Sequence, residues 1–204
     1  MSRLIVSLWT TIDGYVAGLD DSMGWLRTDT DLMDYEIALV ENAGAILLGR
    51  ITHADFASYW PAVAAAEIDA DEGTKRYARR LDQLDKFVAS RSGDVAFWPG
   101  THHVEDATAS AIQQIKDRTA GDVIVYGSLS LIAELNALSL VDEFHLVVNP
   151  TLLCRGKPLL DAQQRPIELE LMECRPFSTG AVLLRYAVAP TNDAQRYRPT
   201  RISG

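Results

Sequence analysis

Cysteine is almost absent from these 204 residues, Cys154 and Cys174 being the only two. Two thiols build neither a disulfide scaffold nor a four-thiolate metal site, so the chain is expected to be held by its core in a reducing, cytoplasmic setting. Long apolar runs are missing as well. None reaches the roughly 18 residues of a membrane span, and Leu4-Ile5-Val6 begins a strand-like run with no signal-cleavage pattern before it. Basic charge is in deficit, with 19 Lys and Arg against 28 Asp and Glu and a formal net charge of −9. A chain of that sign repels a phosphate backbone, and no basic stripe offsets it, so nucleic acid is not an expected partner. Glycine-rich phosphate motifs are lacking too. No Gly-x-Gly-x-x-Gly follows a strand and no Gly-Lys-Ser/Thr occurs, which removes support for a Rossmann dehydrogenase or a P-loop ATPase. His53, His102, His103 and His145 are not spaced as ligands, so no metal is expected, and His102-His103 reads as a solvated loop after Pro99-Gly100.

What is present is enough apolar sequence, 48% of residues, for one sizeable core. Short β-branched and aromatic runs predict strands at 3–9, 45–48, 86–89, 95–98, 123–126, 143–148, 167–174 and 181–188. Helical periodicity predicts helices at 31–43, 54–59, 74–84, 107–118 and 130–138. Alternation of this kind implies βαβ units: an α/β fold with a mixed, mostly parallel eight-stranded sheet flanked by helices. Phe177-Ser178-Thr179-Gly180 leaves no room for a helix between the last two strands, so these should close an antiparallel hairpin. One domain over 1–190 is expected, followed by a polar tail at 191–204.

Three strand exits look suited to an anion. Leu47-Leu48-Gly49-Arg50-Ile51-Thr52 ends a buried strand in a glycine and an arginine fork. There Thr52 and Asp55 read as a capping box opening a helix. Val123-Ile124-Val125-Tyr126-Gly127-Ser128-Leu129-Ser130 repeats the strand, small turn and helix start, and Phe87-Val88-Ala89-Ser90-Arg91-Ser92 ends in hydroxyls flanking an arginine. Each alone is also an ordinary surface turn. Together they fit a dinucleotide laid across the carboxyl edge of a parallel sheet.

Those segments belong to an ordered series. It runs through Thr11-Ile12-Asp13-Gly14-Tyr15-Val16-Ala17-Gly18, Trp25-Leu26, Leu47-Leu48-Gly49-Arg50-x-Thr52, Val123 to Ser128, Leu140-Val141-Asp142-Glu143, and Pro150-x-Leu152-Leu153-x-x-Gly156-Lys157-Pro158-Leu159. The series resembles the dihydrofolate-reductase-like superfamily, in particular the C-terminal reductase domain of the riboflavin-pathway deaminase/reductase, from about Leu4 to Val188. The resemblance implies an NADPH-dependent reductase delivering hydride to a C=N or C=O of a pterin-, pyrimidine- or carbonyl-type small molecule, and a homodimer. It puts Gly49, Arg50 and Thr52 at the cofactor phosphates, Ser90 and Arg91 near the adenosine, and Gly127, Ser128 and Leu129 at the pyrophosphate. Two arginines there favour NADPH over NADH, since a 2′-phosphate suits a bidentate cation.

By the same likeness Asp31 is the candidate catalytic proton source, and Asp13 and Trp25 are candidate substrate contacts. Each has a structural reading beside it. Asp31 sits in a first helical turn, where the dipole favours any carboxylate. Asp13 could brace its own Asp-Gly turn, and Trp25 could be core. The sequence departs from the pattern at His53, where the branch carries an aromatic residue, and at Cys154, which replaces a glycine. No His-x-Glu with Pro-Cys-x-x-Cys occurs, so deaminase chemistry is not expected of this polypeptide. The alternative is a non-catalytic dimeric module that binds a nucleotide or small ligand on the same fold.

Overall fold

A computed structural model describes residues 2–160 and 166–189. The polar tail expected at 191–204 lies outside the described residues. The elements in chain order are β1 (Leu4–Thr11), β2 (Tyr15–Ala17), α1 (Thr30–Asn42), β3 (Ala43–Gly49), α2 (Arg50–Ala64), α3 (Glu72–Gln83), β4 (Asp85–Ala89) and β5 (Thr101–Val104). They continue with α4 (Ala109–Arg118), β6 (Asp122–Tyr126), α5 (Leu129–Ala137), β7 (Glu143–Asn149), β8 (Lys157–Pro158), β9 (Leu169–Pro176) and β10 (Val182–Val188).

Eight strands form one sheet in the order β5-β4-β3-β6-β1-β7-β10-β9. The six from β5 to β7 are mutually parallel, and β10 runs antiparallel to both β7 and β9. A mostly parallel sheet with an antiparallel C-terminal hairpin is the arrangement the sequence predicts. The short β2 and β8 pair separately.

Parallel strands covered on both faces read as unbroken apolar runs, and strand alternation sends neighbouring residues to opposite cores. Leu4, Val6, Leu8, Ala45, Leu47, Val123 and Val125 face the core built with α4 and α5. Ile46, Leu48, Ile124 and Tyr126 face the other core, with Ile37 and Val40 of α1 and Tyr77 and Leu81 of α3. On β1 the second face begins with the buried Ile5 and then carries Ser7 and Trp9 in place of further aliphatic residues. That polar interruption in a buried strand marks the floor of the site.

Two expectations shift. Residues 95–98 are not a strand: Trp98 is buried and donates its indole N–H to Asp82 at 2.9 Å, while Phe97 is exposed. The strand forms after the Gly100 turn, where Thr101 pairs with Lys86. His102 and His103 therefore lie on edge strand β5, bonded to Asp85 at 3.0 Å and to the Ser90 carbonyl at 2.6 Å, rather than in a loop. The helix expected at 54–59 runs from Arg50 to Ala64 and continues through Pro61.

Candidate active site

The three predicted exits belong to β4, β3 and β6, which are adjacent in the sheet and end on the same edge. They open on a cavity of about 1600 Å³. All eight residues singled out for cofactor contact line it: Gly49, Arg50, Thr52, Ser90, Arg91, Gly127, Ser128 and Leu129.

The β3 and β6 exits interlock through their smallest residues. A Cβ on Gly49 would lie 2.1 Å from Ser128 Oγ, and one on Gly127 would lie 2.9 Å from the Thr52 side chain. Gly127 and Ser128 both take left-handed backbone conformations, at φ +57° and +50°, which turns the chain sharply into α5. Contrary to the capping box expected at Thr52 and Asp55, α2 starts at Arg50 behind Gly49, which has no side chain to cap it. Ser128 does not cap α5 with its side chain either. The remaining helices differ: Asp29, Asp71 and Thr108 accept from Leu32, Thr74 and Ala111 backbone N–H groups. Among the described helices, α2 and α5, which begin at the cavity, are the two whose first-turn donors lack a side-chain cap, and such ends attract anions. Arg50 beside them is exposed. Arg91 is exposed at the β4 exit, 3.7 Å from Asp106.

The three residues expected at the chemistry are not among those that line the cavity. Asp31 is exposed on the first turn of α1. Asp13 is exposed, and its carboxylate accepts from the Leu153 and Cys154 backbone N–H groups at 3.1 and 2.8 Å and from Thr11 Oγ1 at 2.6 Å. Those bonds hold its pKa below the usual carboxylate range, and they make it a brace for the loop before β8. Trp25 is half-buried with its indole N–H unpartnered, while Met23 and Leu26 on either side of it reach the cavity.

Of the carboxyl groups that line the cavity, the buried one is Glu36, five residues along α1 from Asp31, while Asp21, Asp55, Glu105, Asp106 and Glu134 are exposed. Five residues turn a helix by about 140°, which separates an outward from an inward face. Glu36 is 5% exposed and its Oε1 accepts from Trp9 Nε1 at 2.9 Å. Burial pushes its pKa up to about 7, although Trp9 and Tyr126 act in the opposite sense. A signal existed in the sequence: Leu32, Glu36 and Val40 share one stripe at a spacing of four, so a carboxylate interrupts the buried face of α1. Ser7 and Tyr126, paired across β1 and β6, complete the polar floor. Burial raises the Tyr126 phenol well above its ordinary pKa, so it stays neutral.

The RibD C-terminal domain family profile matches residues 2–183. The chain belongs to the RibD C-terminal domain family. Among its relatives in the family, the uncharacterised protein YyaP of Bacillus subtilis (strain 168) is 30% identical over 185 residues, which cover 90% of this chain and 94% of YyaP. A pyrimidine reductase-like protein from Corynebacterium diphtheriae superposes with a TM-score of 0.62 at 17% identity, over 93% of each chain. The diaminohydroxyphosphoribosylaminopyrimidine deaminase/5-amino-6-(5-phosphoribosylamino)uracil reductase of Thermotoga maritima superposes with a TM-score of 0.64 at 14% identity. There the match covers 92% of this chain and 57% of the longer one. At these identities the superpositions establish the fold, which is the dihydrofolate-reductase-like sheet expected from the sequence. No helix among the described residues is long and apolar enough to cross a membrane, and no cluster of His, Cys, Asp and Glu among them could hold a metal ion.

Proposed function

We propose that this member of the RibD C-terminal domain family is an NADPH-dependent reductase of a small pterin-, pyrimidine- or carbonyl-type compound. The observation that carries the reading is the meeting of two helix N-termini without side-chain caps across Gly49 and Gly127, beside exposed Arg50. A larger residue at either glycine would collide with Ser128 or Thr52 and push the two turns apart, and free N–H groups with a cation match a pyrophosphate. The reductase names carried by the Corynebacterium and Thermotoga proteins support the same class.

In this reading Gly49, Arg50, Thr52, Gly127, Ser128 and Leu129 hold the diphosphate, and Ser90 and Arg91 hold the adenosine end with its 2′-phosphate. When bound, NADPH supplies the hydride that reduces the carbon of a C=N or C=O bond. Glu36, or a water it holds, delivers the proton to the heteroatom, in place of the exposed Asp31. A carboxyl whose pKa lies near neutrality is partly protonated at working pH, which suits a general acid. Trp9 fixes its orientation through Oε1. A homodimer, implied by the family resemblance, belongs to the same proposal and is checked by sedimentation velocity.

Thermal unfolding with NADPH, and with NADH as control, tests the assignment. Ligand at about 100 times its Kd adds about 2.7 kcal/mol, a midpoint rise of roughly 5–10 °C for a chain of this size. A rise with NADPH and little with NADH is expected. No rise with either overturns the reductase reading and leaves a binding module for another ligand.

A further inference from the structure

His53 departs from the family pattern and does not line the cavity. It is nonetheless fully buried in the first turn of α2, next to Thr52. Thr52 closes against Gly127 on the far side of the cradle, so whatever holds residue 53 also holds one wall of the diphosphate seat. The imidazole Nε2 is hydrogen-bonded to Thr101 Oγ1 on β5 at 3.0 Å, while Nδ1 is buried with no partner. A neutral imidazole has one donor and one acceptor. An unpaired buried N–H is the arrangement proteins avoid most, which puts the single proton on Nε2, donated to Thr101, and leaves a bare lone pair at Nδ1. A proton added at Nδ1 would find no acceptor.

The surroundings also oppose a charge there. His53 lies 5.9 Å from Trp98 between ring centroids, and the ammonium of Lys86 sits over the same indole, 4.5 Å from its centroid. Lys86 is itself fully buried, donating to the Asp82 and Pro99 carbonyls at 2.6 and 2.9 Å. Burial pulls its pKa down to about 8, so it stays a cation through the range where histidine titrates. The carboxylates of α3 and β4 are committed elsewhere: Asp82 accepts from Trp98, Asp85 pairs with the exposed His102 of β5, and Glu72 pairs with Lys75 and Arg79. Also on α3, Arg76 is held by Glu41, Arg80 by the Val40 and Ala43 carbonyls, and Tyr77 stays neutral. β3 carries no charge, and Arg50 and Asp55 on α2 itself are exposed. Burial first, and then Lys86, hold the His53 pKa below the ordinary range.

Resting on the reading of the β3 and β6 exits as the diphosphate seat, we infer that His53 is a positioning residue for the cofactor: while neutral it fastens the first turn of α2 to β5 through Thr101, and its protonation lets that turn go. The fastened turn holds fewer protons than the freed one. The fastening is therefore complete above the ordinary histidine value of about 6.5 and weakens by up to tenfold for each pH unit below it.

The test is calorimetric titration of the full chain with NADP+, the acid-stable form of the cofactor, between pH 8 and pH 5.5. Wild type, His53→Gln and His53→Phe are compared, with the melting temperature recorded for each, and amide exchange at residues 54–57 is followed over the same range. Titration of the cofactor's own phosphate and of Glu36 is common to all three, so the differences between them isolate residue 53. Relative to His53→Gln, which keeps a neutral donor for Thr101, the wild type should lose at least fivefold in affinity between pH 7.5 and pH 5.5. Protection of its 54–57 amides should fall about tenfold over the same interval, and His53→Phe should show neither loss. Parallel pH profiles in the three proteins overturn the proposal. If NADP+ binds none of them at any pH, the cofactor reading fails and exchange decides: acid-sensitive protection in the wild type alone upholds the fastening, and equal protection overturns it. Where neither variant folds, ring NMR of the wild type decides. NADP+ should move the His53 titration to lower pH, by reciprocity, and an unmoved titration overturns the proposal.

Discussion

Glu36→Gln separates the carboxyl's charge from its shape. The amide keeps an acceptor for Trp9 Nε1, so the hydrogen bond at 2.9 Å survives and no cavity opens. In the wild type, burial raises the group from the ordinary 4.5 to about 7. Between those values the folded state holds a proton that the unfolded chain releases, so wild-type stability falls as pH rises. The favourable contribution is complete below about 4.5 and gone above about 7, and the gap corresponds to about 3 kcal/mol. Glutamine does not titrate. The variant should therefore gain on the wild type by about 3 kcal/mol between pH 4 and pH 8.5, a relative rise in melting temperature of roughly 6–12 °C. Parallel thermal scans of both proteins across that range measure it. A difference between the two that is the same at every pH would falsify the claim that a buried, titrating carboxyl sits at this position. In turnover assays the wild-type rate should decline as pH rises past about 7, and Glu36→Gln should lose roughly 10²–10⁴-fold in kcat together with that decline.

Asp31→Asn should leave turnover and its pH profile unchanged, because the side chain is exposed and outside the cavity; a hundredfold loss would return the proton role to it. Gly49→Ala drives a methyl to within 2.1 Å of Ser128 Oγ and should cost about 1–3 kcal/mol by chemical denaturation. It should also weaken NADPH at least tenfold, and Ser128→Gly in the same chain should recover most of the stability. Asp13→Ala should speed hydrogen exchange at the Leu153 and Cys154 amides, whose acceptor it is, while the NADPH-induced melting shift persists. Loss of that shift would mean the loop before β8 shapes the cofactor site.

The parts of the site that sequence exposes are those built from contiguous residues. Gly49-Arg50, Ser90-Arg91 and Gly127-Ser128 are punctuation at strand ends, where local chemistry already dictates a turn and a bare backbone. Their convergence follows from the parallel order β4-β3-β6, which alternation of strands and helices implies. The floor of the cavity is different. Glu36, Trp9, Ser7 and Tyr126 come from α1, β1 and β6, and the first turn of α1 offers a more conspicuous carboxylate in Asp31. Only the register Ser7 with Tyr126 and the inward face of α1 bring the four together. The run 95–98 misleads for a related reason: its aromatic pattern suits a strand, but Trp98 finds its partners in α3 and the core beneath it. The two-residue β8 and three-residue β2 exist only because the chain brings them side by side, and segments that short carry no periodicity to read.

The mutual fit of the β3 and β6 exits has a historical implication. Position 49 has room for no side chain because position 128 has one, and position 127 lacks one because Thr52 occupies that space. Neither turn is free to drift alone. Across descendants of this chain the four positions should change as reciprocal pairs, a bulkier 49 appearing with a smaller 128 and a bulkier 127 with a smaller 52. The two turns, some eighty residues apart in sequence, would then be inherited as one unit.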